Sequence, residues 1–208
     1  MLETKDLSFS YYQGQPFKFP DLSVSASDVL VVLGLSGTGK TTLLHLLAGL
    51  MQPSSGSVLV NNTEINELSG SERDCFRGEN IGIVFQQAQF IQSISVLKNL
   101  LLAQSLAGLK PNKNLAVGLL TELGVSERMH ARPNELSVGE RQRASIARAL
   151  VTSPKVVLAD EPTSALDNEN CSLVADLLQR TVTGHGAALV IVTHDQRLKD
   201  RFQNTMSL

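Results

Sequence analysis

The chain has 208 residues, 42% of them hydrophobic and 18% charged, and its 18 Lys and Arg stand against 20 Asp and Glu for a net charge of -2. That length allows one compact domain, or a domain with a modest appended subdomain, and the near balance of charge argues against nucleic acid or a strongly anionic surface as the main partner. Cys75 and Cys171 lie far apart, form no Cys-x-x-Cys pair and lack histidines at ligand spacing, so a reducing compartment is expected and both read as packing residues. No secretory leader is visible, and no run approaches the ~18 apolar residues of a membrane helix. A cytosolic chain is expected, unless a partner holds it at a membrane.

Residues 2–11 and 17–24 alternate in polarity and carry Pro16 and Pro20, which predicts antiparallel strands that continue through 57–60 after the Pro53-Ser54-Ser55-Gly56 turn. Residues 29–33, 156–159 and 188–192 are continuously apolar, as expected of strands buried on both faces of a mostly parallel sheet. Helical patterns at roughly 40–50, 140–152 and 169–181 fall between them, giving an alternating α/β order. Residues 92–131 are rich in leucine and alanine at helical spacing, including Val96, Leu97, Leu100 and Leu101, and read as a helical insertion. No repeat or long linker is visible, and because few residues follow the last apolar strand no C-terminal regulatory domain is expected.

Between the strand at 29–33 and the following helix stands Gly34-Leu35-Ser36-Gly37-Thr38-Gly39-Lys40-Thr41, which fits G-x-x-x-x-G-K-[ST] in the strand-to-helix setting that motif needs. The glycines let backbone N–H groups aim inward at the positive end of a helix, a place that attracts phosphate. Lys40 can reach the β and γ phosphates of a nucleotide, and the Thr41 hydroxyl can ligate Mg²⁺. Gly34, Ser36, Gly37, Thr38, Gly39, Lys40, Thr41 and Thr42 are therefore the expected nucleotide-binding residues. At the end of the strand at 156–159, Asp160 is expected to hold the metal's shell, and Glu161 to polarise the attacking water. Without the phosphate loop, the same two carboxylates would read as a helix cap and a first-turn charge.

Residues 134–150, NELSVGERQRASIARAL, decide among phosphate-loop families: they resemble the signature motif of ATP-binding cassette (ABC) ATPases, and the resemblance covers essentially the whole chain in the expected order. The usual signature is L-S-G-G-Q, and here it reads Leu136-Ser137-Val138-Gly139-Glu140. The resemblance implies that Ser137 and Gly139, with Glu140, close on the γ-phosphate of ATP held by an opposite subunit. Ser137-x-x-Glu140 is also a capping box, where Glu and Gln serve equally, while the β-branched Val138 requires an ordinary negative φ. By position, Gln86 resembles the Q-loop glutamine that touches metal and water, Ser164-Ala165-Leu166-Asp167 the D-loop, and His194 the switch histidine on the γ-phosphate. Tyr11 or Tyr12 is the expected adenine platform, with Tyr11 preferred because Leu7-x-Phe9-x-Tyr11 shares one strand face.

Together these features predict an α/β fold: a P-loop NTPase (RecA-like) core with a mostly parallel sheet, an N-terminal antiparallel β subdomain and an inserted helical subdomain. Residues 1–91 and 150–208 would form the β subdomain and core, and 92–149 the helical subdomain. The resemblance implies an ATPase using ATP and Mg²⁺, paired as a homodimer or with another cassette in the ATP state, and seated under an integral membrane permease on the cytoplasmic face of the inner membrane. The docking surface expected for that permease is the groove beside Phe90 and Ile91. The closest subgroup by motif comprises the ATPases of lipoprotein release, macrolide export and the cell-division complex. The alternative is a nucleotide-switched clamp that regulates a membrane partner and transports nothing. A phosphate-loop kinase or GTPase is disfavoured by the absence of Asn-Lys-x-Asp, and a DNA-repair cassette by the lack of a long coiled-coil insertion.

Overall fold

The computed structural model describes residues 1–11, 16–164, 168–199 and 201–208, leaving Tyr12 and Asp167 of the expectations above outside the described residues. In chain order the elements are β1 (Leu2–Phe9), β2 (Phe17–Lys18), β3 (Ser23–Val24), β4 (Val29–Leu33), α1 (Lys40–Leu47), β5 (Ser55–Val60), β6 (Thr63–Glu64), α2 (Gly70–Asn80) and β7 (Ile81–Val84). After them come α3 (Val96–Leu106), α4 (Lys113–Glu122), α5 (Val138–Leu150), β8 (Val156–Asp160), α6 (Asn168–Gly184), β9 (Ala188–Thr193) and β10 (Thr205–Ser207).

They build two sheets. One is antiparallel, in the order β2-β1-β5-β6 with β3 paired to β1, and the other is parallel, in the order β10-β4-β9-β8-β7. The expected strand at 17–24 is broken into two residue pairs on either side of Pro20, which has no N–H to give a ladder. The strand expected to run to Tyr11 ends at Phe9 and shifts register between Lys5 and Ser8, where Asp6 takes a φ of 47°. The surface helix α2 and the short edge strand β10 were not expected.

Alternation along the parallel strands explains why those segments are apolar on both faces. Leu30 and Val32 of β4 and Val156 and Leu158 of β8 point into a core shared with α1 and the antiparallel sheet, where Leu43, Leu44, Leu46 and Leu47 meet Leu2, Val58 and Val60. Their neighbours Val31, Leu33, Val157 and Ala159 point the other way, into a core built with α3 to α6 through Leu97, Leu100, Leu120, Ile146 and Leu178. A strand that serves two cores cannot carry a polar residue at either parity.

Helix α5 is held against β7 by a close approach at Gly82, where a β-carbon would come within 2.3 Å of the Ala149 carbonyl oxygen and 3.1 Å of Pro154. Gly82→Ala therefore has to push α5 off the sheet. Overpacking of this kind costs about 1–3 kcal/mol, and the expected result is a melting temperature several degrees lower by differential scanning calorimetry, with an unchanged Tm refuting the close contact.

The registers bring the functional ends together. Leu33 pairs with Thr193 and Asp160 with Val192, so β4, β8 and β9 all end at the same level, and Gly34, Glu161 and His194 follow as the next residues of three adjacent strands. The crevice outside the carboxyl ends of an open parallel sheet is where α/β folds place ligands.

Candidate functional site

At that edge lies a cleft of about 700 Å³ lined by Phe17, Leu35, Ser36, Gly37, Gly39, Lys40, Thr41, Thr42, Gln86, Glu161, His194 and Gln196. The loop after β4 turns through Gly37 at φ 85° and Gly39 at φ 94°, and α1 begins at Lys40. Gly39 is required twice over, since a β-carbon there would also stand 2.8 Å from the Phe17 ring. The Thr38 backbone N–H and hydroxyl both donate to the Leu35 carbonyl, at 3.3 and 3.0 Å, which closes the turn.

Lys40 is buried, and its ammonium donates to the carbonyl oxygens of Gly34 and Leu35, each at 2.9 Å, while standing 3.9 Å from Glu161 Oε1. The loop is thus folded round its own cation, and a phosphate entering the cleft would meet that charge together with the N–H groups at the start of α1.

Asp160 and Glu161 are adjacent and both buried, but their surroundings differ. The Glu161 carboxylate is fully engaged: it accepts from the Thr193 hydroxyl at 2.7 Å, from the His194 backbone N–H at 3.0 Å and from His194 Nδ1 at 2.7 Å. Its backbone sits at φ 46°, a left-handed conformation costing about 1–2 kcal/mol for a residue with a side chain. These donors, with the Glu161 N–H to Val192 O bond of 2.9 Å, hold it there. Among the described residues Asp160 has only the Thr41 hydroxyl, at a long 3.4 Å from Oδ2, while its buried Oδ1 has no partner there. Burial, then the neighbouring Glu161 charge, raises its pKa above the usual carboxylate range.

That orphaned oxygen beside a threonine hydroxyl is what a hard divalent cation would complete. Among the described residues no cluster of three His, Cys, Asp or Glu could hold a metal, so any cation here would draw most of its ligands from a bound phosphate and water. Gln86 closes the far side of the cleft, with its amide 3.4 Å from the Ser164 hydroxyl, which itself donates to the Glu161 carbonyl at 3.1 Å.

The cleft is lined by Ser36, Gly37, Gly39, Lys40, Thr41, Thr42, Gln86, Glu161 and His194 of the expected set, with Gly34, Thr38 and Asp160 next to lining residues in the chain, while the signature segment and Tyr11 stand apart. Ser137, Gly139 and Glu140 lie at the start of α5 and do not line it. The capping box is formed as expected, with Ser137 Oγ accepting from the Glu140 N–H at 3.3 Å and Glu140 Oε2 accepting from the Ser137 N–H at 2.8 Å. Val138 occupies the first helical position and is not among the residues with positive φ, as its branching demands. Tyr11 is half exposed, its hydroxyl 3.0 Å from Thr42 Oγ1 and its ring edge-on to Phe9 and Phe17, but the aromatic ring that lines the cleft is Phe17. Phe17 was missed, although it belongs to the aromatic series Phe9, Tyr11, Phe17 and Phe19 that the sequence displays.

Sequence reading also missed Asp195, whose carboxylate accepts from the Thr163 hydroxyl at 3.0 Å and from Arg197 Nε at 2.8 Å. The Arg197 guanidinium beside it holds its pKa at about 2. It ties the segment after Glu161 to the loop carrying His194. A tripeptide reading Thr-His-Asp at a strand end gives no signal of that role.

Comparison with known proteins accords with this geometry. The family profile described as "ABC transporter" matches residues 17–164. The chain is 41% identical over 214 residues to the "Lipoprotein-releasing system ATP-binding protein LolD" of Colwellia psychrerythraea, covering 100% of this chain and 83% of that protein. It is 41% identical over 204 residues to the protein of the same name from Syntrophotalea carbinolica, covering 95% and 90%. Among solved structures it is similar to a dimeric bacterial ABC transporter cassette, with a TM-score of 0.88 at 28% identity, covering 100% of this chain and 94% of that one. A dimeric post-hydrolysis state of that cassette bound to ADP and Pi matches with a TM-score of 0.88 at 29% identity over the same shares.

Proposed function

The chain belongs to the ABC transporter family as an ATP-hydrolysing subunit, and from that premise we propose that, seated on the cytoplasmic face of a bacterial inner membrane, it drives a membrane partner that releases lipoproteins on the periplasmic side. The observation that carries this reading is the full-length likeness to lipoprotein-releasing ATP-binding proteins, joined to a cleft in which a buried lysine, a serine-glycine-threonine loop and the Glu161 carboxylate converge. In this reading the chain is a single cassette, with residues 1–91 and 150–208 as β subdomain and core and 92–149 as the helical subdomain.

ATP enters with its phosphates on the amides of residues 36–42 and on Lys40, and its adenine against the aromatic edge formed by Tyr11 and Phe17, whose ring centroids are 6.3 Å apart. Thr41, Asp160 and Gln86 would hold Mg²⁺, which supplies charge neutralisation for the phosphate oxygens when bound. Glu161 is the base: one of its oxygens has to leave the Thr193 and His194 donors to receive a proton from the attacking water. His194 then stands next to the γ-phosphate. Because Ser137 and Gly139 lie outside the cleft, a second copy has to supply them, so ATP joins two cassettes and its hydrolysis parts them.

No helix among the described residues is long and apolar enough to cross a membrane, so the work passes to an integral membrane partner. The surface that suits it lies beside the Q-loop, where Phe90 and Ile91 border a hollow of about 340 Å³. Arg148 lies 5.3 Å over the Phe90 ring and donates to the Gln89 carbonyl. A clamp that only regulates its partner is the weaker reading, since the relatives that match over the whole chain are named for release. Affinity capture of the tagged chain from solubilised membranes, followed by reconstitution in liposomes, tests the proposal. ATP-dependent transfer of an acylated protein out of the bilayer is expected, and capture without any integral membrane protein would sink it.

A further inference from the structure

The start of α5 holds a charge that its capping role does not need. Glu140 Oε2 accepts from the Ser137 N–H at 2.8 Å, a bond that the neutral side-chain oxygen of glutamine would make as well. With glutamate, a full negative charge lies on the backbone donor of the very residue that, in the dimer reading above, meets the phosphate of a second copy. Helix N-termini favour anions, but two anions at one N-terminus oppose each other. The charge is not removed by protonation either: the Ser137 backbone N–H, then Arg128 and the Ser137 hydroxyl, hold the Glu140 pKa down at about 2.

What offsets it is Arg128, whose Nε donates to Glu140 Oε1 at 2.9 Å. Arg128 comes from a separate piece of the helical insertion, the short 3-10 turn Ser126–Arg128, seated by the buried Val125. Two other cations are near, and neither bonds Glu140: Arg143 lies over Gly139, where a β-carbon would stand 3.5 Å from its Nη1, and Arg141 donates to the Leu136 carbonyl. The Arg128 side chain is 54% exposed, so the pair adds little to the stability of a single copy. Its effect belongs to the event in which a phosphate arrives.

We propose that Arg128 is a positioning residue for closure on a second copy's nucleotide, neutralising Glu140 so that Ser137 and Gly139 can receive a phosphate. The inference rests on the ATP-joined dimer, and the experiment separates the two. In a Glu161→Gln background, the ATP concentration giving half-maximal dimer is measured by size-exclusion chromatography with light scattering for five chains: the parent, Arg128→Ala, Arg128→Lys, Glu140→Gln and Arg128→Ala combined with Glu140→Gln. Arg128→Ala is expected to need about tenfold more ATP, adding Glu140→Gln should return the requirement to that of the parent, and Arg128→Lys, which keeps the charge, should stay close to the parent. The nucleotide-free melting temperatures should agree. A purely structural role for Arg128 would leave the combined variant as weak as Arg128→Ala, and that result, or normal dimerisation by Arg128→Ala, overturns the inference. A parent that stays monomeric in ATP overturns the dimer reading, and the inference with it.

Discussion

Glu161→Gln is expected to bind ATP as the unaltered chain does, to lose kcat by about 10²–10⁴-fold, and to accumulate as a dimer in ATP. Binding survives because the phosphate contacts come from Lys40 and the amides at the start of α1, and Lys40 keeps the Gly34 and Leu35 carbonyls when its 3.9 Å contact with the Glu161 charge is lost. The local fold survives as well. Glutamine keeps one oxygen to accept from the Thr193 hydroxyl or the His194 N–H, and the backbone at φ 46° keeps its bond to the Val192 carbonyl. What disappears is the carboxylate placed to take a proton from water beside the γ-phosphate, a role that Asp160, turned towards Thr41 and the metal position, and Gln86, with no basic atom, do not replace. The dimer persists because hydrolysis is the step that parts it. Single-turnover hydrolysis of labelled ATP, read with the elution volume, checks both halves, and turnover within a few-fold of the original would remove Glu161 from its assigned role.

The phosphate loop was legible because it rests on local rules: a buried strand, glycines at positive φ and a lysine opening a helix leave little else for the backbone to do. The parallel strands were legible for a similar reason, since β4, β8 and β9 serve a core on each face and are apolar throughout. Helix α2 was not read because none of its residues is buried, so it has no apolar stripe; its one local signal was the capping box of Ser69 and Glu72. The strand β10 is three residues long and is recruited by its partner β4 rather than by its own pattern. In the site, Phe17 escaped notice because the packing of its ring beneath Gly39 is a contact between distant parts of the chain. The Arg128–Glu140 pair was hidden likewise: the spacing of Ser137 and Glu140 announces a cap, but nothing in the sequence says where the second carboxylate oxygen points.

Lys40→Ala separates binding from turnover in the opposite sense. The Lys40 side chain is 7% exposed and its ammonium is held by the Gly34 and Leu35 carbonyls, so its charge is already aimed before any ligand arrives. A phosphate has only to draw it across the loop, and each charge-assisted contact it then makes contributes about 1.5–3 kcal/mol. Removing it should weaken ATP binding by about 10–100-fold in isothermal titration calorimetry and leave no measurable hydrolysis. Stability should move far less. The Leu35 carbonyl keeps the Thr38 N–H and hydroxyl as donors, and the buried positive charge, costly to desolvate, is gone. A chain that melts as before yet has lost nucleotide affinity would assign Lys40 to the ligand rather than to the fold, whereas undiminished affinity would mean that the loop amides alone hold the phosphates.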